Sequence, residues 1–410
     1  MKKIWIFNHY AVPPGYRGES RHFQFARILR DRGYEPVIFS SSFLHGTETD
    51  LLDGLEADSV MRVYEGIPFV HVRTRRYKGN GADRIRGMAD YYRMVKRAAK
   101  DMEPPYAIYA SSPHPLALLA AIKLARRFSV RCVCEVRDLW PESFVAYGML
   151  DARSPVLKVL YAAEHYLYRA CDALVFTMPN GAAYLAERGW TDVDPAKAAS
   201  VNNGIDVASF DALANAPSPY ARKIAASPGF SLAYCGTVAD THPLLPLIKA
   251  VEQLCQEGAC DVSLHVFGDG DQKDELERYC KDHAVGAVRF EGAVDHDLVP
   301  SIMHAADANV ISVAPSDLSR FGISWLKLPE CLAAGKPILM TSEFPHNPVI
   351  DEECGVQADG TVDDMKRKIQ RLCSLDAVAY RRMCGNARRA AQSYDMRVLA
   401  SKLERVIEGK

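Results

Sequence analysis

The chain has 410 residues, 48% hydrophobic and 25% charged, with a formal net charge of −1. That is a globular profile long enough for two or three domains, and it offers no global charge with which to hold nucleic acid. Eleven cysteines without a C-x-x-C pair read as free thiols of a reducing cytoplasm, not as metal ligands.

In chain order, KKIWIFNHY reads as a buried parallel strand and opens into the glycine-bearing loop AVPPGYRGES. RHFQFARILRDRG then has helical spacing and ends at Gly33, and EPVIFSSS is the next strand. The unit recurs: strand YAIYASS, helix PLALLAAIKLARRF, strand VRCVCEVRD, helix SPVLKVLYAAEHYLYRA, strand CDALVFT, helix GAAYLAERG. The Pro-, Asn-, Ser- and Ala-rich stretch SVNNGIDVASFDALANAPSPYARKIAASPG marks a domain junction. A second series follows, with strands in GFSLAYCGT, DVSLHVFGDG, AVRFEGAV, ADANVISV and KPILMTS, separated by helices. From about residue 361 the chain is helical. The N-terminal apolar run is too short for a signal peptide, and no segment approaches the roughly 20 apolar residues needed to span a bilayer.

Alternating strands and helices predict an α/β chain of two doubly wound, Rossmann-like domains, 1–205 and 206–390, with a C-terminal helix over 391–410 packing back on the first. Ligands of open α/β sheets bind outside the carboxyl ends of the strands, so two such domains facing a central cleft would hold the ligand there. The loops PPGYRG, SSPHP, RDLWPE, NNGID, CGT, FGDGD and FGIS become the site candidates.

FGISWLKLPECLAAGKP, residues 321–337, carries the strongest local signal. Ser324 is placed to cap a helix that Gly335 closes in a left-handed turn. Lys327 and Glu330, three apart, share a face. A lysine at a helix start suits a diphosphate, and a carboxylate one turn on suits ribose hydroxyls. The competing reading is a surface helix with one ion pair. Gly15 and Gly18 in the first loop allow backbone to approach a phosphate or sugar, or form a simple turn. Arg137 and Asp138 end a buried strand where charge is rarely placed for packing. Glu142 either joins them or caps the next helix, and His114, at another strand end, is either a structural histidine or an acceptor-side base. From Arg73 to Lys100 ten basic residues stand against Asp83 and Asp90, interleaved with Met88, Tyr91, Tyr92, Met94 and Val95. This pattern suits an anionic membrane surface or a solvated helix face.

These motifs resemble the retaining glycosyltransferases of family four, which have the GT-B fold. The resemblance covers nearly the whole chain and is strongest in EVRDLWPES and FGISWLKLPECLAAGKPI. Those two stretches look like the bacterial subgroup that builds capsule, O-antigen or exopolysaccharide units on a polyprenyl carrier. The resemblance implies transfer of a sugar, with retained configuration, from a nucleotide-diphosphate donor, most simply a UDP-sugar, to a lipid-linked saccharide. It also implies a cytoplasmic enzyme peripheral to the membrane through residues 73–100, with no cofactor and no metal. Glu330 matches the glutamate that contacts the donor ribose and Lys327 the lysine that neutralises the diphosphate. The family's first glutamate falls on Gly322, which moves sugar positioning onto backbone amides from Phe321 to Ser324. The loop CGTVADTHP, containing Gly236, lacks the second basic residue the family often has, and His242 or Arg320 would replace it. Gly268 and Gly270 match the loop whose backbone holds the base. Arg137, Asp138 and His114 are the candidates for orienting sugar, phosphate and acceptor. Two rivals stay open: a non-catalytic partner subunit and a nucleotide-sugar 2-epimerase.

Overall fold

Ile4, Trp5, Ile6 and Phe7 have no solvent-accessible surface. A strand apolar on both faces must be covered from both sides, and this is the burial pattern of a doubly wound sheet. The computed structural model describes residues 1–16, 21–79, 81–112, 114–146 and 148–410. They form two compact units, Met1–Asn202 with Leu399–Lys410, and Asn203–Val398.

In the first unit β1 (Lys2–Phe7), α1 (Arg21–Asp31), β2 (Tyr34–Ser41), β3 (Ser59–Tyr64), β4 (Ile67–Val72) and α2 (Ala82–Ala99) precede β5 (Ala107–Ser111). There follow α3 (Pro115–Phe128), β6 (Arg131–Val136), α4 (Trp140–Ala146), α5 (Pro155–Ala170), β7 (Ala173–Phe176), α6 (Gly181–Glu187) and β8 (Ala198–Ser200). The sheet order is β3-β4-β2-β1-β5-β6-β7-β8. β1 pairs in parallel with β2, Phe7 opposite Phe39, and with β5, Phe7 opposite Ala110. The antiparallel pair β3–β4 turns at Glu65 and Gly66, both with positive φ. This is the backbone that tight hairpins require. The sequence reading had no element here, because β3 is half exposed along its length.

In the second unit α7 (Val207–Ala214) and α8 (Pro219–Ala225) occupy the stretch read as a junction. Then come β9 (Phe230–Cys235), α9 (Leu245–Gln256), β10 (Val262–Phe267), α10 (Lys273–Asp282), β11 (Val288–Gly292), α11 (Val299–Ala305) and β12 (Ala308–Ile311). The unit continues through α12 (Lys327–Ala334), β13 (Ile338–Met340), α13 (Pro348–Asp351), β14 (Gly355–Gln357), α14 (Val362–Cys373) and α15 (Ala377–Gln392). The last helix, α16 (Met396–Glu408), carries the chain back into the first unit. The six strands are all parallel, in the order β11-β10-β9-β12-β13-β14. Leu232 and Tyr234 of β9 enter one core while Ala233 and Cys235 enter the other.

Strand order reverses between β1 and β5 in the first sheet and between β9 and β12 in the second. Such switch points open a crevice at the strand ends.

Two expectations are corrected. Cys260 and Cys373 are joined in a disulfide, not free; 113 residues separate them in sequence, so no local spacing could announce the pair. Three of the interleaved apolar residues of the 73–100 segment also belong to the core: Met88, Tyr91 and Val95 are buried, while Tyr92 and Met94 are half-buried. Its cations largely have acidic partners, Arg75 with Asp90 at 2.7 Å, Lys78 with Glu48 at 3.0 Å and Arg97 with Asp58 at 2.8 Å. Arg76 pairs with Asp53. Among the described residues no helix is long and apolar enough to cross a membrane.

Candidate functional site

At the β9/β12 switch point, Lys327 is the first residue of α12, and its stem reaches back over the end of β9. Its ammonium donates to Tyr234 Oη at 3.0 Å and lies 4.5 Å from the centre of that ring. A phenol and an aromatic face hold this half-buried cation, and among the described residues no carboxylate forms an ion pair with it. Burial lowers its pKa to about 8, with only partial relief from the nearby thiols and Glu330. No side chain caps the first turn of α12, because Leu326 occupies the capping position. Ser324 is therefore not the cap: its carbonyl and hydroxyl instead accept from Asn203 Nδ2, at 2.7 and 3.3 Å. The first-turn amides of Lys327 and Leu328, Pro329 having none, and an ammonium held only by a phenol form an anion seat at one helix start. The other end follows expectation, with Gly335 left-handed at φ 64°.

Three glycines form the floor. A Cβ on Gly236 would lie 2.1 Å from Lys327 Nζ; one on Gly268 would lie 1.8 Å from Gly236 O, and one on Gly270 2.0 Å from Val238 O. The loops after β9 and β10 thus stack backbone on backbone, tied by Gly236 N–H to Phe267 O at 2.8 Å and Val238 N–H to Asp269 O at 3.0 Å. Gly322, with φ 96°, closes the short 3₁₀ turn over Asp317–Phe321 that precedes the helix.

Glu330 does not pair with Lys327. It accepts from the exposed His296 Nε2 at 2.8 Å, which raises the imidazole pKa. The ribose candidate therefore already has a partner, one in a solvent-exposed position. His242 does not serve as the second cation: burial and the Lys327 charge lower it to about 4, so it is neutral at pH 7. Arg320 lies with its guanidinium 4.4 Å from the centre of the Phe321 ring.

At the β1/β5 switch point, Gly15 turns at φ 87° with open space where a Cβ would stand. Gly18 lies outside the described residues. His114 directly precedes α3 and is fully buried. Its Nε2 is 3.0 Å from Nδ1 of His9, which is also buried. Burial lowers His114 to about 3. A base so far below neutral pH is a poor proton acceptor, so the expectation of a catalytic base is not met, and a neutral hydrogen-bonding imidazole takes its place. Arg137 is anchored through its backbone, N–H to Ser112 Oγ at 3.0 Å. Asp138 is exposed as a residue, yet desolvation of its carboxyl by the surrounding protein raises its pKa, with Arg137 opposing. Glu142 is drawn off to Tyr161, at 2.6 Å.

Sequence reasoning missed two buried acids. Glu135 on β6 accepts from Arg21 Nε at 3.0 Å, His22 Nε2 at 2.9 Å and Ser111 Oγ at 2.6 Å, and also from Tyr109. Burial alone would raise its pKa, but Arg21, His22 and Arg137 hold it well below the ordinary range. Arg21 also donates to the carbonyls of Val201 and Asn202, at 2.7 and 2.6 Å, so this network fixes the end of the first unit. The signal was a glutamate inside the apolar run VCEV. Glu164 on α5 accepts from Tyr168 and Tyr184, both at 2.7 Å, and burial raises it to about 7.

Residues 19–204 match the family model described as glycosyl transferase 4-like domain, and residues 229–374 match glycosyl transferases group 1. A glycogen synthase of Mycobacterium tuberculosis is 27% identical over 254 residues, which is 60% of this chain and 56% of that protein. The chain thus spans little more than half the length of the curated relative it matches. Among solved structures, sucrose-phosphate synthase of Thermosynechococcus elongatus aligns with a TM-score of 0.74 at 16% identity, covering 100% of this chain and 99% of that one. The Anabaena HepE protein, in complex with UDP and glucose, aligns over all of both chains with a TM-score of 0.67 at 16% identity. WaaG, a glycosyltransferase involved in lipopolysaccharide biosynthesis, aligns with a TM-score of 0.67 at 15% identity over 99% of this chain and 100% of that one. With two family models laid end to end over two parallel-sheet α/β units, the chain belongs to glycosyltransferase family four and has the GT-B fold.

Proposed function

We propose that this enzyme transfers a sugar from a UDP-sugar to a saccharide acceptor carried on a lipid diphosphate, with the anomeric configuration retained. The observation that carries the donor half is Lys327, a half-buried ammonium with no carboxylate paired to it among the described residues, at an uncapped helix start. A departing nucleoside diphosphate gains charge as the glycosidic bond breaks. Lys327 and the α12 amides are positioned to stabilise that charge without reorganising. Support for uridine comes from similar structures in complex with UDP and UDP-glucose. In this reading the loop of Gly268 and Gly270 would face the base, and Glu330 would supply the carboxylate for the ribose. In the first unit Arg137, Asp138 and the neutral His114 would orient sugar and acceptor. Nothing in this reading requires a cofactor or a metal.

Support for a lipid-linked acceptor comes from the resemblance of EVRDLWPES to enzymes that build polysaccharide on polyprenyl carriers. The membrane-facing surface in this reading is the outer side of α3 and α5, not the paired cations of 73–100. There Val156 and Val159 are more than half exposed, and exposed Lys123, Arg126 and Lys158 lie on the same two helices. Exposed apolar side chains among basic ones suit an anionic bilayer surface.

The test is turnover of UDP-sugars against polyprenyl-diphosphate saccharides, sugar phosphates and soluble glucans. Transfer to the polyprenyl-linked saccharide alone supports the reading. Transfer to glucan alone overturns the acceptor assignment, and release of free sugar isomers without acceptor favours an epimerase.

A further inference from the structure

His9 and His114 form a buried pair that the donor site does not use. His9 follows β1 and His114 follows β5, so the pair lies across the switch point of the first sheet. The rings are edge to face, centroids 4.9 Å apart, with His114 Nε2 3.0 Å from His9 Nδ1. Each ring then has one nitrogen left over, His9 Nε2 and His114 Nδ1. Both are buried, and both lack a hydrogen-bond partner among the described residues. The neighbours do not fill the gap: Tyr91 packs 4.8 Å from the His9 ring, but its hydroxyl donates to Phe39 O at 2.8 Å. Tyr10 packs 4.4 Å from His9, and its hydroxyl accepts from Arg84 Nε at 3.3 Å.

Burial holds both imidazoles neutral, with the nearby Arg84 and His45 adding to the effect on His9. Each neutral ring carries one proton, and the shared bond uses a proton from one ring and a lone pair from the other. Of the two leftover nitrogens, one must therefore donate and the other accept, whichever tautomer the pair takes. Fixing the proton on one side fixes both roles. Buried polar atoms left without partners are costly, so two of them at a strand-end crevice point to a ligand that supplies one acceptor and one donor. Hydroxyl groups do both, whereas a fully ionised diphosphate has no proton to donate.

We propose that His9 is a positioning residue that fixes the tautomer of His114, and that the pair binds pyranose hydroxyls of the donor or acceptor sugar. This rests on the transferase reading for the identity of the ligand, but not for the tautomer lock.

The test uses the full chain labelled with ¹⁵N-histidine, with His114 assigned from a His114→Asn variant. In the wild type His114 shows a single tautomer at neutral pH. His9→Phe keeps a ring against Tyr10 and Tyr91 but removes the bond, and His114 becomes a tautomer mixture. His9→Asn restores a polar group near the Nδ1 position and with it the single tautomer. An unchanged His114 spectrum in His9→Phe overturns the lock. If His9→Phe does not fold, the His114→Asn and His114→Phe pair gives the same reading on the His9 ring. Kinetics separate the two sugars. If the pair holds the donor sugar, His9→Phe raises the KM for UDP-sugar about fivefold, as for one lost hydrogen bond, and leaves UDP affinity alone. If it holds the acceptor, only the acceptor KM rises. Unchanged KM values for both overturn the ligand assignment. Failure of wild-type protein to bind UDP would overturn the transferase reading while leaving the spectroscopic result intact.

Discussion

Lys327 sets the behaviour of the donor site at the scale of one residue. A cation whose folded pKa is lowered to about 8 keeps its charge at neutral pH and loses it above pH 8. Its burial cost weighs on the folded state while the charge is present, so stability rises with pH between about 8 and the ordinary lysine value near 10.5. Diphosphate binding needs the charge, so UDP affinity falls over the same window. Lys327→Arg, which cannot lose its proton, abolishes that fall; titrations at pH 7 and pH 9 check it. Glu330→Ala weakens nucleotide binding about tenfold with little change in melting temperature, because the carboxylate's partner, His296, is an exposed imidazole. Equal affinity would remove Glu330 from the site. The residue types and their spacing were legible in LKLPE. Their partners Tyr234, Gly236 and His296 were not, since each comes from a distant segment brought near only by the sheet order. Ser324 misled because its neighbour Asn203 competes for the same groups.

At the scale of elements, the glycines of the loops after β9 and β10 separate into two kinds. A methyl at Gly236 meets the mobile end of Lys327, whereas one at Gly268 meets the Gly236 carbonyl. Gly236→Ala should therefore fold, at a cost of about 1 kcal/mol for its backbone conformation, and lose UDP affinity as Lys327 is pushed aside. Gly268→Ala should lose roughly 3 kcal/mol or fail to fold, because backbone cannot yield. Chemical denaturation and UDP titration of the two variants distinguish these effects. FGDGD was read as a base-binding loop or a tight turn. The stacking of the two loops explains the glycines by packing alone. Glu164 on α5 gives a second test. Its folded pKa near 7 lies above the unfolded value near 4.3, so its contribution is fully present below pH 4.3 and declines as pH rises to 7. The span is on the order of 3 kcal/mol. Glu164→Gln flattens that segment of the stability–pH curve relative to the wild type. The amphipathic spacing of α2 was equally plain in sequence, but core and membrane faces share one pattern; the acidic partners that identify the core assignment come from residues 48–58 and from Asp90.

For the whole molecule, alternation of strand and helix made both α/β units legible, because buried parallel strands are continuous apolar runs and their helices end at glycines. The half-exposed β3 strand left no such run, and the Cys260–Cys373 bridge left no local spacing. What unites the two units is that each carries candidate residues beside a place where its strand order reverses. Lys327 marks that place in the second sheet, and the His9–His114 pair marks it in the first. The donor half is the more direct to test, by calorimetric titration of UDP into the wild type and Lys327→Met at pH 7. The account predicts binding to the wild type, at least tenfold weaker binding to the variant, and a melting temperature in the variant no lower than in the wild type, because a costly buried charge is gone. Equal UDP affinity in the two proteins, or no UDP binding by the wild type, would contradict it.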